Sequence, residues 1–341
     1  MKKKKKVILI ILLIIVIVGG YLGWKVFGPT VSAPEGKYFY VSTGENYDEV
    51  RQALTDQKII GGTFFFDMLA NQFKYKKAVK AGRYEIKNGM SMYDLVRMLQ
   101  RGNQSPVNFV ITKLRTKEDL AQRIAKNFEC DSTSMSSILY NEDTLHKYGL
   151  DTNTVMTIAI PNSYAILWNT SPANIFKRLV NEKKKFWTPE RLKKADELNL
   201  TPDQVYTLAS IVEEETAKEE DKGNIASVYM NRLHAGQLLQ ADPTIKYALR
   251  NFGLKRIRLV HAEAAKASPY NTYFTKGLPP GPICTPSSKT IDAVLNAPKT
   301  DYLYFVARPD RSGLSNFTHS YEEHMINAKN YQRFLDSINI K

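Results

Sequence analysis

The hydrophobic pattern of the chain begins with its longest apolar stretch. Lysines at positions 2 to 6 precede an unbroken apolar run from Val7 to Val18, which continues with few interruptions to Phe27. About 20 such residues are long enough to span a bilayer as a helix. The flanking lysines predict a cytoplasmic N-terminus, and Trp24 suits the opposite interface. Because no small-x-small site follows closely, the pattern favours a retained single-pass anchor over a cleaved signal peptide.

Three shorter patterns follow a linker at residues 28–36. Each predicts a strand, a turn and an amphipathic helix, at residues 40–54, 84–99 and 109–124. Asn46, Ser91 and Thr116 are placed to cap the three helices. Such units resemble lysin-motif-like modules, which grip glycan chains, although the same pattern fits a small α+β packing domain.

The remaining two-thirds of the chain is predicted to be mainly helical. Helices are expected at Ser132–His146, Asn174–Phe186, from Thr188, from Thr201, at Ile225–His234, from Asp242 as a cap, at Thr290–Asn296 and at Tyr321–Ile338, with a strand at Tyr302–Ala307. An irregular stretch at 268–283 is rich in proline, glycine and aromatic residues. A loop of this composition suits either a sugar-binding cleft or packing over the core.

The helix from Thr201 breaks its own hydrophobic pattern at one position. Its apolar residues, such as Leu208, Ile211 and Val212, have the three- and four-residue spacing of a buried stripe. Glu215 lies on the line of that stripe, whereas Glu214 and Glu213 lie about 100° and 200° around the helix. A carboxyl facing an apolar wall has a raised pKa, as a general acid needs. The competing interpretation is a solvated acidic helix end with Glu215 at its rim.

Composition limits the cellular compartments and binding partners that are expected for the protein. The 341 residues are 43% hydrophobic and carry a net charge of +14, which suits an anionic partner or a simply solvated basic surface. An anchor would place everything after residue 30 outside the cytoplasm, where nucleic acid and ATP are poor expectations. Cys130 and Cys284 have no metal or redox spacing, and isolated cysteines of this kind are usually buried thiols.

Several common catalytic arrangements are missing from the sequence. It contains no His-Glu-x-x-His motif, no zinc-type Cys/His cluster and no Gly-x-Ser-x-Gly elbow. The five histidines are scattered. A catalytic carboxylate is therefore the best candidate.

Several blocks of residues together resemble the YceG-like endolytic murein transglycosylases. They are Ala209–Thr216, Ala226–Leu233, Leu239–Thr244, Tyr270–Tyr273 with Gly277–Ile283, and Tyr302–Val306. The anchor and the module after it also fit the layout of that family. The chain departs at Ile160-Pro161-Asn162-Ser163-Tyr164, where the family has a Phe-Pro-Asp-Thr-Tyr-like segment with an acidic residue in place of Asn162.

The resemblance implies a lyase that cuts peptidoglycan strands internally between N-acetylmuramic acid and N-acetylglucosamine. The catalytic glutamate of the family maps onto Glu215, which would donate a proton to the glycosidic oxygen and then accept one from the muramic acid 6-hydroxyl, leaving a 1,6-anhydromuramyl end. No second carboxylate, metal or cofactor is implied. The substrate-binding candidates are Gln240, Tyr270, Asn271, Thr272, Tyr273, Asn316, Thr318 and Glu323. The supporting candidates are Glu213, Glu214, Thr216 and Asp242.

The expected fold class is α+β, with an N-terminal transmembrane helix, a small lysin-motif-like module and a larger mixed α/β catalytic domain with a glycan cleft. The expected divisions are a cytoplasmic tail at 1–6, the transmembrane helix at 7–27, a linker at 28–36, the module at 37–105, a connecting region at 106–184 and the catalytic domain at 185–341. The enzyme would sit in the inner membrane with its catalytic domain in the periplasm and act alongside peptidoglycan synthases. The alternatives are a non-catalytic glycan-binding scaffold and a hydrolysing muramidase.

Overall fold

The fold combines many helices with short strands. A computed structural model of the chain describes residues 2–254 and 256–337, and within them the strands form three two-stranded sheets. This arrangement confirms the α+β class. The chain divides into two compact units: the first contains residues 1–109, 127–130 and 164–171, and the second contains 110–126, 131–163 and 172–341.

The first unit contains the predicted strands and helices together with one helix, α3, that was not predicted. Its elements are α1 (Lys2–Phe27), β1 (Tyr38–Val41), α2 (Tyr47–Asp56), α3 (Phe64–Gln72), β2 (Gly82–Glu85), α4 (Met92–Arg101) and β3 (Val107–Val110). Strands β1 and β2 pair antiparallel, with Phe39 opposite Tyr84. Both of these side chains are fully buried in the core of the unit.

The caps of this unit are set by local sequence. Asn46 accepts hydrogen bonds from the backbone N–H groups of Asp48 and Glu49, and the Glu49 side chain accepts from the Asn46 N–H to complete a capping box. Ser91 accepts from the N–H of Asp94 at the start of α4. Both predicted caps are confirmed, because each needs only partners within one helical turn.

Helix α1 carries the apolar run at the N-terminus. From Lys4 to Phe27 it is long and apolar enough to cross a membrane, and its side chains from Val7 to Val18 are exposed. Val26 packs against the core of the first unit, and the Phe27 ring lies 5.4 Å from that of Tyr93 on α4. The end of α1 is therefore held by the unit that follows it.

The second unit is built mainly of helices. Strand β4 (Ser163–Ile166), which pairs with β3, belongs mainly to the first unit. The second unit has, in chain order, α5 (Lys117–Asn127), α6 (Ser132–Leu139), α7 (Glu142–His146), α8 (Pro172–Phe186), α9 (Pro189–Glu197), α10 (Pro202–Glu215), α11 (Glu219–His234), α12 (Asp242–Ala248), α13 (Leu259–Ala264), α14 (Ser288–Leu295), β5 (Tyr304–Ala307), β6 (Ser315–Thr318) and α15 (Tyr321–Ser337). The predicted end of the last helix at Ile338 lies outside the described residues. Strands β5 and β6 pair antiparallel, with Phe305 opposite Phe317.

Helix α10 is the centre of this unit. It begins with the predicted capping box of Thr201 and Gln204, with Pro202 in the first turn. Every residue from Val205 to Val212 is buried. The expectation of an amphipathic helix is therefore wrong, because the helix is enclosed on all sides, mainly by α11 and α14.

The elements after α10 differ from prediction at several points, and two helix starts have a clear physical reason. Helix α11 begins at Glu219, six residues before the predicted Ile225, because the acidic residues at 219–221 form its first turn, where negative charge is favourable. The predicted cap of α12 is also wrong. Ala241 occupies the cap position, and the Asp242 carboxylate accepts a hydrogen bond from the Tyr273 hydroxyl instead.

The proline-rich stretch that follows is ordered by contacts with α10. The N–H of Ile283 donates to the Ser210 hydroxyl at 3.0 Å, and the thiol of Cys284 lies 3.3 Å from the Ser210 carbonyl oxygen. Cys284 is buried and Cys130 is partly buried, and no disulfide joins them. The loop thus packs over the helix that carries the three glutamates.

Gly281 is the position where this loop has no room for a side chain. A β-carbon there would lie 2.0 Å from the carbonyl oxygen of Asn153. We expect Gly281→Ala to lower the free energy of unfolding by about 1–3 kcal/mol, because the backbone must shift. Gly253→Ala is the matched control, since its β-carbon meets nothing closer than 3.7 Å. Equal denaturation midpoints for the two variants would contradict this account of the loop.

Candidate active site

The last turn of α10 presents three adjacent carboxylates to three different parts of the second unit. Glu213 points toward α11 and α14. Its carboxylate contacts the buried ammonium group of Lys222 at 3.4 Å and accepts hydrogen bonds from the hydroxyls of Ser287 and Thr290. This network ties the end of α10 to both neighbouring helices.

Glu214 meets a pair of cations from the segment before α5. The Arg115 guanidinium binds both of its carboxylate oxygens at 3.1 Å, and Lys113 lies 3.0 Å away. Burial alone would raise the pKa of Glu214, but the hydrogen bonds and charges of these cations hold it below its usual value. Glu214 is therefore ionised at neutral pH and acts as an anchor for the helix end.

Glu215 meets a neutral hydroxyl instead of a cation. The Tyr229 O–H donates to its Oε1 at 2.7 Å, and Tyr229 is almost completely buried on α11. The Glu215 side chain retains partial solvent access although protein atoms surround its carboxyl group. Because solvent reaches part of this side chain, a substrate oxygen could reach it as well.

The surroundings of Glu215 favour its protonated form. Burial raises the pKa of Glu215 to about 7, from an ordinary value of 4.5, and the negative charge of Asp242 acts in the same direction. The hydrogen bond from Tyr229 and the positive charges of Lys246 and Arg232 oppose the rise but do not cancel it. A carboxyl with this pKa can both donate and accept a proton near neutral pH.

Asp242 and Tyr273 form a second polar pair beside this carboxyl. The Tyr273 hydroxyl donates to Asp242 Oδ1 at 2.6 Å. The pKa of Tyr273 is raised, mainly because the side chain is buried and secondly because of this hydrogen bond. Both side chains remain partly exposed. The charge of Asp242 acts on both Glu215 and Tyr229, and the charge of Glu215 acts on Tyr273, so the pair lies near the Glu215 carboxyl.

The neighbouring loop residues take up two distinct roles. Asn271 and Thr272 are buried and bind the protein itself: the Asn271 side chain donates to the Ala262 carbonyl oxygen, and the Thr272 hydroxyl accepts from the Ala241 N–H. Gln240 is exposed in a left-handed conformation, with a φ of 51°, and its N–H donates to the Thr272 carbonyl oxygen. The sequence blocks around 240 and 270 are thus joined through Thr272.

The other candidate residues lie in different surroundings. Tyr270 is partly buried, and its ring packs 4.7 Å from that of Tyr247. Asn316 lines a cavity of about 500 Å³ together with Glu220 and other residues near the start of α11. Thr318 is buried on β6, and Glu323 is exposed on α15.

Thr216, a supporting candidate, and Asn162 both lie outside helices and strands. Thr216 ends α10 with extended backbone angles, and its hydroxyl accepts from the N–H of Lys218. Asn162, the departure from the family pattern, is exposed, and its carbonyl oxygen accepts from the Ile111 N–H.

Four residues at the site were not singled out from the sequence. They are Tyr229, Arg232, Lys246 and Arg115. Tyr229 carried a usable signal, because it shares an apolar helical spacing with Ala226 and Leu233, and a buried tyrosine hydroxyl needs a partner. Arg232 donates to the carbonyl oxygens of Leu239 and Leu303, contacts that sequence spacing does not reveal.

Comparison with known proteins identifies the family of the chain. The family model described as the YceG-like family matches residues 39–330. The chain belongs to the YceG-like family. This result confirms the resemblance noted in the sequence.

Proteins similar to this YceG-like chain include one from Streptococcus pneumoniae and one from Bacillus subtilis. The chain is 30% identical over 328 residues to the endolytic murein transglycosylase of Streptococcus pneumoniae serotype 2 (strain D39 / NCTC 7466), covering 85% of this chain and 58% of that protein. It is 39% identical over 138 residues to the endolytic murein transglycosylase of Bacillus subtilis (strain 168), covering 40% and 36% of the two chains. The chain thus spans 58% of the length of the pneumococcal relative.

The fold has a counterpart among solved structures. The crystal structure of a yceG-like protein from Listeria monocytogenes superposes with a TM-score of 0.56 at 25% sequence identity. The match covers 85% of this chain and 99% of that chain. The structural similarity to the Listeria protein therefore covers most of this YceG-like chain and not only the short sequence blocks around Glu215.

The opposite environments of Glu214 and Glu215 predict opposite effects on stability. The folded pKa of Glu215, about 7, exceeds the ordinary 4.5, so the folded state gains stability from the proton and loses it as pH rises from about 4.5 to 7. We expect Glu215→Gln to stabilise the protein at pH 8 by the order of 1–3 kcal/mol and to have little effect near pH 4.

Glu214→Gln is the matched comparison. The lowered pKa of Glu214 stabilises the fold above its unfolded value, and this stabilisation is lost as pH falls. The variant should therefore be less stable at pH 8 by about 1–3 kcal/mol and approach the parent in acid. Denaturant unfolding at both pH values measures the two effects, and shifts of the same sign at pH 8 would contradict the assignment.

Proposed function

We propose that the chain is a membrane-anchored endolytic lytic transglycosylase that cleaves peptidoglycan between N-acetylmuramic acid and N-acetylglucosamine. The observation that carries the proposal is the environment of Glu215, a partly exposed residue whose carboxyl has a pKa of about 7 and accepts a hydrogen bond from Tyr229. The names of the streptococcal and Bacillus relatives support this substrate and reaction. Glu215 then acts as the single general acid and base.

The proposed reaction uses the two protonation states of Glu215 in sequence. Protonated Glu215 donates to the glycosidic oxygen as the bond to the anomeric carbon of N-acetylmuramic acid breaks, through an oxocarbenium-like state. The ionised carboxylate then accepts the proton of the muramic acid 6-hydroxyl, whose oxygen bonds to the same anomeric carbon. The products are a 1,6-anhydromuramyl end and a free N-acetylglucosamine hydroxyl. The proton count balances without water.

Tyr229 has a positioning role in this scheme. Its hydroxyl fixes the rotamer of Glu215 and, as a neutral donor, stabilises the carboxylate that forms after proton donation. A cation in its place would hold the carboxyl ionised before reaction, as Arg115 does for Glu214. A neutral tyrosine hydroxyl is therefore a suitable partner for Glu215, which must be protonated in one step and ionised in the next.

The proposed glycan cleft is the region around the partly exposed side chains of Glu215, Asp242 and Tyr273. Tyr273 and Gln240 are partly or fully exposed beside it and are the strongest candidates for sugar contacts, with Tyr270 further along the same loop. Asn271 and Thr272 serve the cleft by holding this loop in shape through buried hydrogen bonds. We also propose contacts to the glycan strand, further from Glu215, for Asn316, Thr318 and Glu323.

The remaining parts of the proposal concern placement in the cell. Helix α1 anchors the chain in the inner membrane by a single pass, with the N-terminus in the cytoplasm and the catalytic domain, residues 185–341, in the periplasm. Residues 37–105 act as a lysin-motif-like module that holds glycan, and residues 106–184 connect it to the catalytic domain. Substrate comes from peptidoglycan synthases, and cleavage ends the elongation of new strands.

Analysis of digested peptidoglycan tests the reaction. We expect the full-length protein in detergent to release fragments with 1,6-anhydromuramyl ends, identified by mass spectrometry, and Glu215→Gln to reduce their release by at least 100-fold. Glu197→Gln, at an exposed glutamate at the end of α9, is the matched control and should retain activity. Reducing ends would instead indicate a hydrolysing muramidase, and absence of cleavage by the parent would favour a glycan-binding scaffold.

The pH dependence of cleavage tests the role of Tyr229. Because the acid must be protonated, kcat/KM should fall as pH rises through about 7, the pKa of Glu215. Tyr229→Phe removes a donor that favours the carboxylate, so the pKa should rise and the alkaline limb should move to higher pH. Tyr206→Phe is the control, because the Tyr206 hydroxyl donates to the Ala159 carbonyl oxygen on another side of α10. A limb that stays in place or moves to lower pH in Tyr229→Phe would refute the assignment.

A further inference from the structure

An apolar face of the first unit has no covering element in the part of the chain that the structure describes. Phe64 and Met68 on α3 are 70% and 45% exposed, while Phe66, Leu69 and Ala70 on the opposite side are buried. A spacing of four residues places Phe64 and Met68 on one helical face. Single exposed apolar residues are ordinary, so the position of this face within the unit decides its meaning.

The C-terminal end of α3 lies beside the end of α1. The ring of Phe73, which follows α3 directly, lies 5.5 Å from that of Tyr93, and Tyr93 lies 5.4 Å from Phe27. Phe27 is the last residue of α1. Three rings therefore connect the end of α3 to the point where the apolar helix ends.

The N-terminal end of α3 is tied to the same point by backbone pairing. Val31 forms β-bridges with Ile60 and Met90, and the N–H of Ser32 donates to the Ile59 carbonyl oxygen at 3.0 Å. Only three residues separate Val31 from Phe27, and only three separate Ile60 from Phe64. Both ends of α3 are thus near the exit of α1, so α3 runs across the base of the unit.

The length of α1 predicts where the base of the first unit lies relative to the membrane. From Val7 to Phe27 the helix rises about 31 Å at 1.5 Å per residue, and the hydrocarbon core of a bilayer is about 30 Å thick. If Val7 lies at one edge of that core, Phe27 lies at the other. The residues that contact Phe27 are then at the membrane interface, where aromatic side chains are favoured.

The charges around Phe73 suit lipid headgroups. Lys74 follows it and is exposed, and the Arg97 guanidinium lies 4.8 Å over its ring. Asp67, the acidic residue of α3, is instead engaged by the Tyr47 hydroxyl and lies near Arg51. Basic side chains beside an apolar face are the pattern of segments that bind an anionic membrane surface.

We propose that α3 lies on the outer surface of the membrane and inserts Phe64 and Met68 among the lipids. The occupant of this face is the leaflet that α1 enters, and the inference rests on the proposed role of α1 as an anchor. Two attachments would fix the orientation of the first unit above the bilayer, whereas a single helix would leave it free to swivel. The face then marks the boundary between lipid and the wall polymer.

Spin labels on the full-length chain in lipid nanodiscs test this placement. Single cysteines replace Phe64, Met68, Gln52 or Leu12 in a Cys130→Ser background, where the remaining Cys284 is buried, and each is labelled with a nitroxide. Gln52 is an exposed residue of α2 and serves as the aqueous control, and Leu12 reports on α1. The unsubstituted background measures any label on Cys284. Relaxation by oxygen, which concentrates in lipid, is compared with relaxation by a water-soluble nickel complex.

We expect the ratio of oxygen to nickel accessibility at Phe64→Cys and Met68→Cys to exceed that at Gln52→Cys by at least threefold. Equal ratios at these three positions, with Leu12→Cys in lipid, would overturn the placement of α3 and leave the anchor intact. A Leu12→Cys label in water would overturn both. Shielding of positions 64 and 68 that appears only after addition of glycan strands would also overturn the proposal and assign the face to the polymer.

Discussion

The hydrogen bond between Tyr229 and Glu215 is the contact on which the proposed chemistry of this protein depends. Helix α10 is buried as far as Val212, and the three carboxylates of its last turn are only partly exposed to solvent. Each carboxylate must be satisfied by a different neighbour. Lys222 serves Glu213, Arg115 serves Glu214, and a neutral hydroxyl serves Glu215. Because its neighbour is neutral, Glu215 can act as an acid, whereas Glu213 and Glu214 are ion-paired and anchor the helix end.

The two anchors also determine how well the acid is placed. Glu213 binds residues of α11 and α14, and Glu214 binds the segment before α5, so the end of α10 is held from three directions. A helix end held in this way cannot rotate without breaking charged hydrogen bonds, each worth about 1.5–3 kcal/mol. The Glu215 carboxyl therefore keeps its position although its own contact is comparatively weak. Burial of an acid without a cation lowers stability at neutral pH.

Local features of the fold were accessible from the sequence, and long-range ones were not. The caps at Asn46, Ser91 and Thr201 involve partners within three residues, and the apolar run of α1 is a property of composition alone. The start of α12 was misassigned because Asp242 before a proline has the local pattern of a cap. Its carboxylate is engaged by Tyr273, 31 residues away, and a distant partner of this kind overrides a local preference.

Helical spacing alone does not explain why Glu215 differs from its neighbours. Helical spacing singled it out as the glutamate on the apolar line, but that argument assumed one buried face, and α10 is buried on all faces. Direction therefore does not distinguish Glu215 from Glu214. The distinction lies in a tyrosine 14 residues further on and an arginine 99 residues earlier. Two identical side chains, adjacent in sequence, differ in pKa because one is paired with a cation and the other is not, so their chemical roles follow from packing and not from residue type.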